Sequence, residues 1–266
     1  MAELLQAALT FVLLLACMTL GLVVRPRLPE RHRDQQTLES VRLAIGMLVT
    51  FVALVLGLLT ASSKGHFDAV SDNYRAFGGD IVVLHSLLAE YGPETVEARS
   101  LLRNYTGAVI ASTWPDEPAP PGDYPRTLER ETRGTRVESR LLSTILGQID
   151  MDIRRLTPGN AVQKQLAADS MDAFKTVIRQ RWKIIESAHS TISQPFVIVM
   201  LVWLSIVFFC FALCAKRNAT VVIVAVLCAF STALSIYVIL DMDSPVSGQI
   251  AVPSQPLRDA LADLGP

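Results

Sequence analysis

Outside its long apolar runs the chain has no cysteine. Cys17, Cys210, Cys214 and Cys228 all fall inside such runs, so the polar segments hold no disulfide and carry no mark of a redox compartment. No Cys-x-x-Cys or Cys/His spacing of a zinc site is present, and the cysteines read as small packing residues. The four histidines, His32, His66, His85 and His189, stand apart from one another. A metal set of His66, His189 and Asp68 is conceivable, but isolated histidines on long helices are the simpler reading. Phosphate-cradling, metalloprotease, nucleophile-elbow and dinucleotide-binding motifs are missing, and no carboxylate pair has a spacing that demands acid–base work. Neither an enzyme nor a cofactor is expected. Charge is balanced, with 24 Lys+Arg against 25 Asp+Glu and a net charge of −1, so bulk electrostatics offer nothing to a nucleic acid.

What the chain has in quantity is hydrocarbon. Hydrophobic residues make up 51% of it and its mean hydropathy is +0.38, a composition that points to several membrane spans. Four uncharged segments are long enough to cross a bilayer core: 4–24, 43–61, 196–215 and 219–240. A core of about 30 Å needs about 20 helical residues, and in lipid each backbone polar group must find its partner within the segment, which makes these helices. The first has no basic residues before it, and Glu3 stands where they would be; it reads as a retained span rather than a cleaved signal. None of the four carries a charge, which argues against an ion-coupled transporter.

Between spans two and three lies a polar segment, 62–194, with 16 Lys+Arg and 17 Asp+Glu. Phe67, Val70, Tyr74, Phe77, Ile81, Leu84, Leu88 and Tyr91 recur at alternating intervals of three and four, the seam of a helix packed on other helices. The second span is therefore expected to run on as one helix to Tyr91, roughly 70 Å from Leu43 at about 1.5 Å per residue. Gly78-Gly79 is the expected kink and Gly92-Pro93 the stop. Further helices are expected over 93–112, 126–156 (interrupted at Gly134) and 161–192, with the proline-rich "WPDEPAPPGDYP" as a connector and "TPGN" as a turn. The third bundle helix should bury Leu142, Ile145, Ile149, Ile153 and Leu156. The fourth should bury Met171, Phe174, Ile178, Arg181, Ile185, Ala188 and Ile192, with Arg181 the misfit. A short amphipathic helix should close the chain, capped by Ser254 and lined by Leu257, Ala260, Leu261 and Leu264.

The expected fold is all-α: an integral membrane protein with four transmembrane helices and a helical bundle inserted between spans two and three. It divides into a first membrane hairpin (1–61), the bundle (62–194), a second hairpin (195–240) and a tail (241–266). The short loops carry seven basic residues, Arg25, Arg27, Arg31, Arg33, Arg42, Lys216 and Arg217, against four near the spans on the other side, Lys64, Arg75, Arg181 and Lys183. The positive-inside rule then puts the short loops in the cytoplasm of an inner-membrane protein, with the bundle and both termini outside.

Two surface patterns invite a functional reading. In the second span Gly46, Thr50, Ala53, Gly57 and Ala61 share one face; Gly46, Ala53, Gly57 and Ala61 are small enough to let another helix approach closely. Arg126, Arg130, Arg133, Arg136 and Arg140 make a basic stripe if helical, interleaved with Glu129, Glu131 and Glu138. An ion-paired, solvated face is the simpler account; an anion-attracting wall is the functional one.

Four pieces in order, "RPRLPERHRDQQT", "LVLGLLTASS", "KRNATVV" and "LDMDSPVSGQIAV…PLRDAL", resemble a bestrophin-like family of bacterial four-span membrane proteins. More distantly, the chain is similar to the bestrophins, pentameric anion channels whose second membrane helix forms an apolar neck with an aromatic–Val–Leu–Gly–aromatic run. The matching residues here are Leu54, Val55, Leu56, Gly57 and Leu58. The resemblance implies that Leu54 and Leu58 face a pore, with Thr50 a turn earlier, that the chain forms a homo-oligomer, a pentamer if bestrophin-like, and that a small anion passes. Both neck aromatics are leucine here, the preceding position is threonine, and no dense acidic cluster matches the calcium clasp of the animal proteins, so calcium gating does not carry over. The resemblance also places the large domain in the cytoplasm, opposite to the arginine count. The two functions in play are an oligomeric channel in the lipid bilayer and a non-conducting sensor or scaffold whose bundle binds a partner.

Overall fold

The computed structural model describes residues 2–27, 29, 35–124, 140–187, 194–215, 218–246 and 248–265. They form eight α-helices and no strand: α1 Ala2–Val24, α2 Gln35–Tyr91, α3 Val96–Thr113, α4 Arg140–Arg155, α5 Ala161–Ser187, α6 Gln194–Cys214, α7 Ala219–Met242 and α8 Gln255–Asp263. Four are long and apolar enough to cross a membrane: α1, α2, α6 and α7. The chain divides into two compact units, Met1–Phe67 with Ser190–Ile250, and Asp68–His189 with Ala251–Pro266. The tail is thus shared between them, and α2 contributes to both.

In the first unit α1 packs against α6 and α7. Leu14 and Met18 of α1, Val52 of α2, Met200, Leu204, Phe208 and Ala212 of α6, and Ala225, Ala229 and Ile236 of α7 form its core. Phe11 and Phe230 meet edge to face at 6.2 Å. Gly21 permits the closest approach: a Cβ there would stand 2.6 Å from the Phe209 carbonyl oxygen and 2.7 Å from the Ala212 Cβ. Arg25, just past α1, donates to the Ala215 carbonyl, satisfying an acceptor left over at the end of α6. Asn218 caps α7, its Oδ1 accepting from the Thr220 amide at 3.3 Å. At the other end of α7 the buried Asp241 carboxylate accepts from the Gln249 amide at 2.9 Å and the Ile250 amide at 2.7 Å. Gly248 allows this turn, because a Cβ on it would lie 2.8 Å from the Asp241 carbonyl oxygen.

The second unit is built on the α2 seam. Val70, Tyr74, Phe77, Ile81, Leu84, Leu88 and Tyr91 are all buried. Phe77 meets Tyr105 of α3 at 6.4 Å and Tyr74 meets Trp114 at 5.1 Å. The helix is unbroken across Gly78-Gly79. Gly78 serves packing, since a Cβ there would be 3.0 Å from the Pro256 carbonyl oxygen at the start of α8. Gly92, at φ 135°, ends α2 in a conformation that side chains avoid. Thr95 follows, its hydroxyl donating to the Leu88 and Gly92 carbonyls.

α4 buries Leu142, Leu146, Ile149 and Ile153, with Ile145 half-buried at the flank. On α5 the buried stripe lies to one side of the expected one, through Ser170, Val177 and Ile184, while keeping Phe174, Arg181 and Ile185. Arg181 is the informative member. Only 5% exposed, it donates from Nη2 to the Ser143 hydroxyl of α4 at 2.9 Å, so a polar tie occupies the place of a hydrophobic contact. Next to it, Gln180 donates to the Asn73 carbonyl and side-chain oxygens of α2 at 3.1 and 3.2 Å. The expected helix over 126–139 and the stretch 188–192 lie outside the described residues.

The final helix corrects one expectation. Ser254 stands at the N-cap position of α8 as expected, but its side chain makes no capping hydrogen bond. Its hydroxyl instead donates to Glu117 in the proline-rich connector and accepts from Arg258 Nε at 2.8 Å. Arg258 also donates to Glu117 Oε2 at 2.9 Å and to the Pro118 carbonyl at 2.9 Å, and the Trp114 indole donates to the Val252 carbonyl at 2.8 Å. Leu257, Ala260 and Leu264 are buried. The carboxylate has outcompeted the helix amides for this hydroxyl, a long-range choice that local spacing does not reveal. Arg258→Ala is expected to speed amide hydrogen exchange across 257–264 and leave α3 unchanged. The ion pair is part-exposed, at 27% and 39%, and is worth about 1 kcal/mol or less; protection of α8 equal to the wild type would mean the apolar contacts alone hold it.

Candidate pore-lining face of the second span

Within the membrane unit α2 touches its own chain along one narrow stripe. Val52 is buried in the core, and Leu56 and Leu59 pack against it. At 3.6 residues per turn, the opposite side of the helix carries Leu43, Thr50, Leu54 and Ala61, with Leu58 and Gly57 on its two flanks. Leu54 is 70% exposed and Leu58 67%. Of the span-length window in α2 only 11% is buried, against 22% in α1 and α6 and 28% in α7. The second span is therefore the one its own chain covers least.

Thr50 is exposed on this face, and its hydroxyl donates to the Gly46 carbonyl at 3.0 Å. A polar side chain is tolerated in an apolar run when its hydrogen is committed to the helix backbone in this way. The small residues show where the chain does not pack. A Cβ at Gly46 or Gly57 would meet nothing within 4 Å, and Ala53 and Ala61 are exposed. Thr50, Leu54 and Leu58 thus share an outward face with these four residues, and all seven are exposed.

Arg126, Arg130, Arg133 and Arg136 lie outside the described residues; Arg140 opens α4, and its side chain is not among those described. His189 also lies outside them, and among the described residues no three His, Cys, Asp or Glu side chains group to hold a metal ion. Two polar ties invisible to spacing are Arg25 to Ala215 and Asp241 to its turn. The available signal was position: an arginine at the first residue past a span, and an aspartate in the last turn of another.

A bestrophin-like domain model matches residues 12–257. The chain belongs to the bestrophin-like family. Among curated proteins nothing matches it. Its fold is similar to that of a bacterial bestrophin homologue from Klebsiella pneumoniae. A tryptophan-to-alanine variant of that protein superposes with a TM-score of 0.67 at 13% identity over 99% of this chain and 97% of the other. An isoleucine-to-threonine variant gives 0.64 at 13% identity over 97% of each chain. The structure phased on zinc gives 0.63 at 14% identity over 97% and 96%. The likeness covers spans, bundle and most of the tail, and establishes an all-α membrane fold.

Proposed function

We propose that the chain assembles into an oligomeric membrane channel for a small anion, with α2 lining the pore and Leu54 and Leu58 forming its neck. The observation that carries this reading is the outward face of α2. Four helices of one chain enclose no useful pore, but copies arranged around an axis would turn Thr50, Leu54 and Leu58 inward and give Gly46, Ala53, Gly57 and Ala61 a helix to meet. Rings of leucine would then make an apolar constriction, a kind of gate that closes by dewetting. Family membership supports the reading and shows no conduction by itself.

The first test is native mass spectrometry of the protein in membrane-like particles. A closed ring, five chains if the bestrophin arrangement holds, is the expected result; a monomer or dimer would remove the pore and leave the bundle as a partner-binding module. The second is flux through reconstituted protein. Leu54→Ala combined with Leu58→Ala is expected to raise conductance severalfold, because a wider neck holds water more readily. Unchanged flux in the double variant would take the neck away from these residues.

A further inference from the structure

Two helices of the bundle bring nitrogen donors to one level. α2 and α3 run antiparallel and are tied at two points. Phe77 meets Tyr105 at 6.4 Å, and the Thr95 hydroxyl donates to the Leu88 carbonyl. Between these ties, 77–88 of α2 faces 95–105 of α3. His85 stands three residues before Leu88, and Arg99 four after Thr95, so the two lie within a single helical turn of the same level. Arg103 follows Arg99 by four residues, the spacing that brings side chains together on one helix face. All three residues are half-buried.

The Arg99 Nε is buried and has no hydrogen-bond partner among the described residues. Neither Arg99 nor Arg103 forms a salt bridge among them. The carboxylates nearest in sequence are placed elsewhere. Asp80 and Glu90 each stand five residues from His85, and Glu97 two from Arg99, offsets that turn them to other faces at 3.6 residues per turn. Glu94 lies against Gly92. Burial, and then the Arg99 charge, push the His85 imidazole below its ordinary range. A solvated basic face does not explain this arrangement, because an arginine that only faces water keeps its guanidinium there. A buried charged donor without an acceptor is costly, and a second cation one turn away adds repulsion. One oxyanion relieves both. Guanidinium forks match its oxygens in geometry as well as charge, and the imidazole supplies a further donor. The three side chains spread over little more than one turn, about 5.4 Å, the reach of a single phosphate or sulfate rather than of a polyanion.

We infer that His85, Arg99 and Arg103 bind a small tetrahedral oxyanion, phosphate or sulfate, between α2 and α3. All three belong to the bundle unit, so the inference stands apart from the channel reading.

The test is isothermal titration calorimetry of the full chain in maltoside micelles, which carry no phosphate. Sodium phosphate, sodium sulfate and sodium chloride are titrated at constant ionic strength. Saturable binding of phosphate or sulfate is expected, and none of chloride. Arg99→Gln and Arg103→Gln each remove a hydrogen bond between charged groups, so each should weaken oxyanion binding by roughly 10- to 100-fold. Arg99→Lys keeps the charge and loses the fork, and should fall between the wild type and Arg99→Gln. Arg154→Gln, in an exposed pair with Asp150 on α4, should bind as the wild type does. Should Arg99→Gln fail to fold, Arg103→Gln and the chloride comparison decide alone. No saturable oxyanion binding, an equal response to chloride, or wild-type affinity in a folded Arg99→Gln or Arg103→Gln chain would overturn the site.

Discussion

Gly21→Leu is expected to abolish the folded membrane unit, and Gly21→Ala to lower its thermal midpoint by several degrees. Even a single methyl at this position would stand 2.6 Å from a backbone oxygen and 2.7 Å from the Ala212 Cβ. Neither neighbour is the far end of a flexible side chain, so α1 and α6 must part for the methyl to fit. Overpacking of this kind costs about 1–3 kcal/mol, and each kcal/mol moves the midpoint of a chain of this size by roughly 2–4 °C. Leucine cannot be accommodated by a shift of a few tenths of an ångström, and the α1–α6 core of Leu14, Met18, Leu204 and Phe208 would be opened with it. The measurement is unfolding in detergent followed by tryptophan fluorescence, with Gly46→Ala and Gly57→Ala as companions. These two meet nothing within 4 Å, so the unassembled chain should tolerate both. Loss of a ring in the companions, with the single chain intact, would place their face between copies. A Gly21→Ala protein as stable as the wild type would show that the helices do not cross there.

The contrast among these glycines marks what one sequence can reveal. A row of small residues on α2 announces that some helix can come close, but not which one. Gly21 stands in no such row, because close approach is a property of two helices and only one of them was being read. The α2 seam was legible for the opposite reason. Eight apolar residues in register state their own purpose, and Gly92-Pro93 ends a helix whatever surrounds it. Ser254 shows the limit from another side. Its local spacing fits a cap, yet Glu117 lies 137 residues away in sequence and takes the hydroxyl. Arg181 was visible as a break in the pattern, but its tie to Ser143 depends on how α4 and α5 lie together. For the candidate neck, the resemblance supplied the residues. The burial of Val52, Leu56 and Leu59 supplied the direction they face.

Phe77→Ala is expected to destabilise the bundle by several kcal/mol, the largest loss available from a single seam residue. Phe77 has no exposed surface, and truncating a buried phenylalanine costs about 3–5 kcal/mol through lost transfer energy and the cavity left behind. Its ring meets Tyr105 at 6.4 Å and 80°, an edge-to-face pair worth about 0.5–1.5 kcal/mol beyond burial. Tyr105 gains nothing in exchange. Its hydroxyl is buried without a hydrogen-bond partner among the described residues, and burial pushes its phenol well above the ordinary tyrosine range, so the ring stays neutral. A cavity beside it removes part of the ring's packing. A domain stable by about 5–15 kcal/mol has little to spare against such a loss. Val83→Ala, on the same helix but 54% exposed, should change stability by less than about 0.5 kcal/mol. Phe77→Leu should recover most of the difference by refilling the volume. Hydrogen exchange resolves the outcome by region: in Phe77→Ala, protection should fall in α2 from Asp68 to Tyr91 and in α3, and stay unchanged in α1. Equal behaviour of Phe77→Ala and Val83→Ala would mean that the seam of α2 does not hold the bundle.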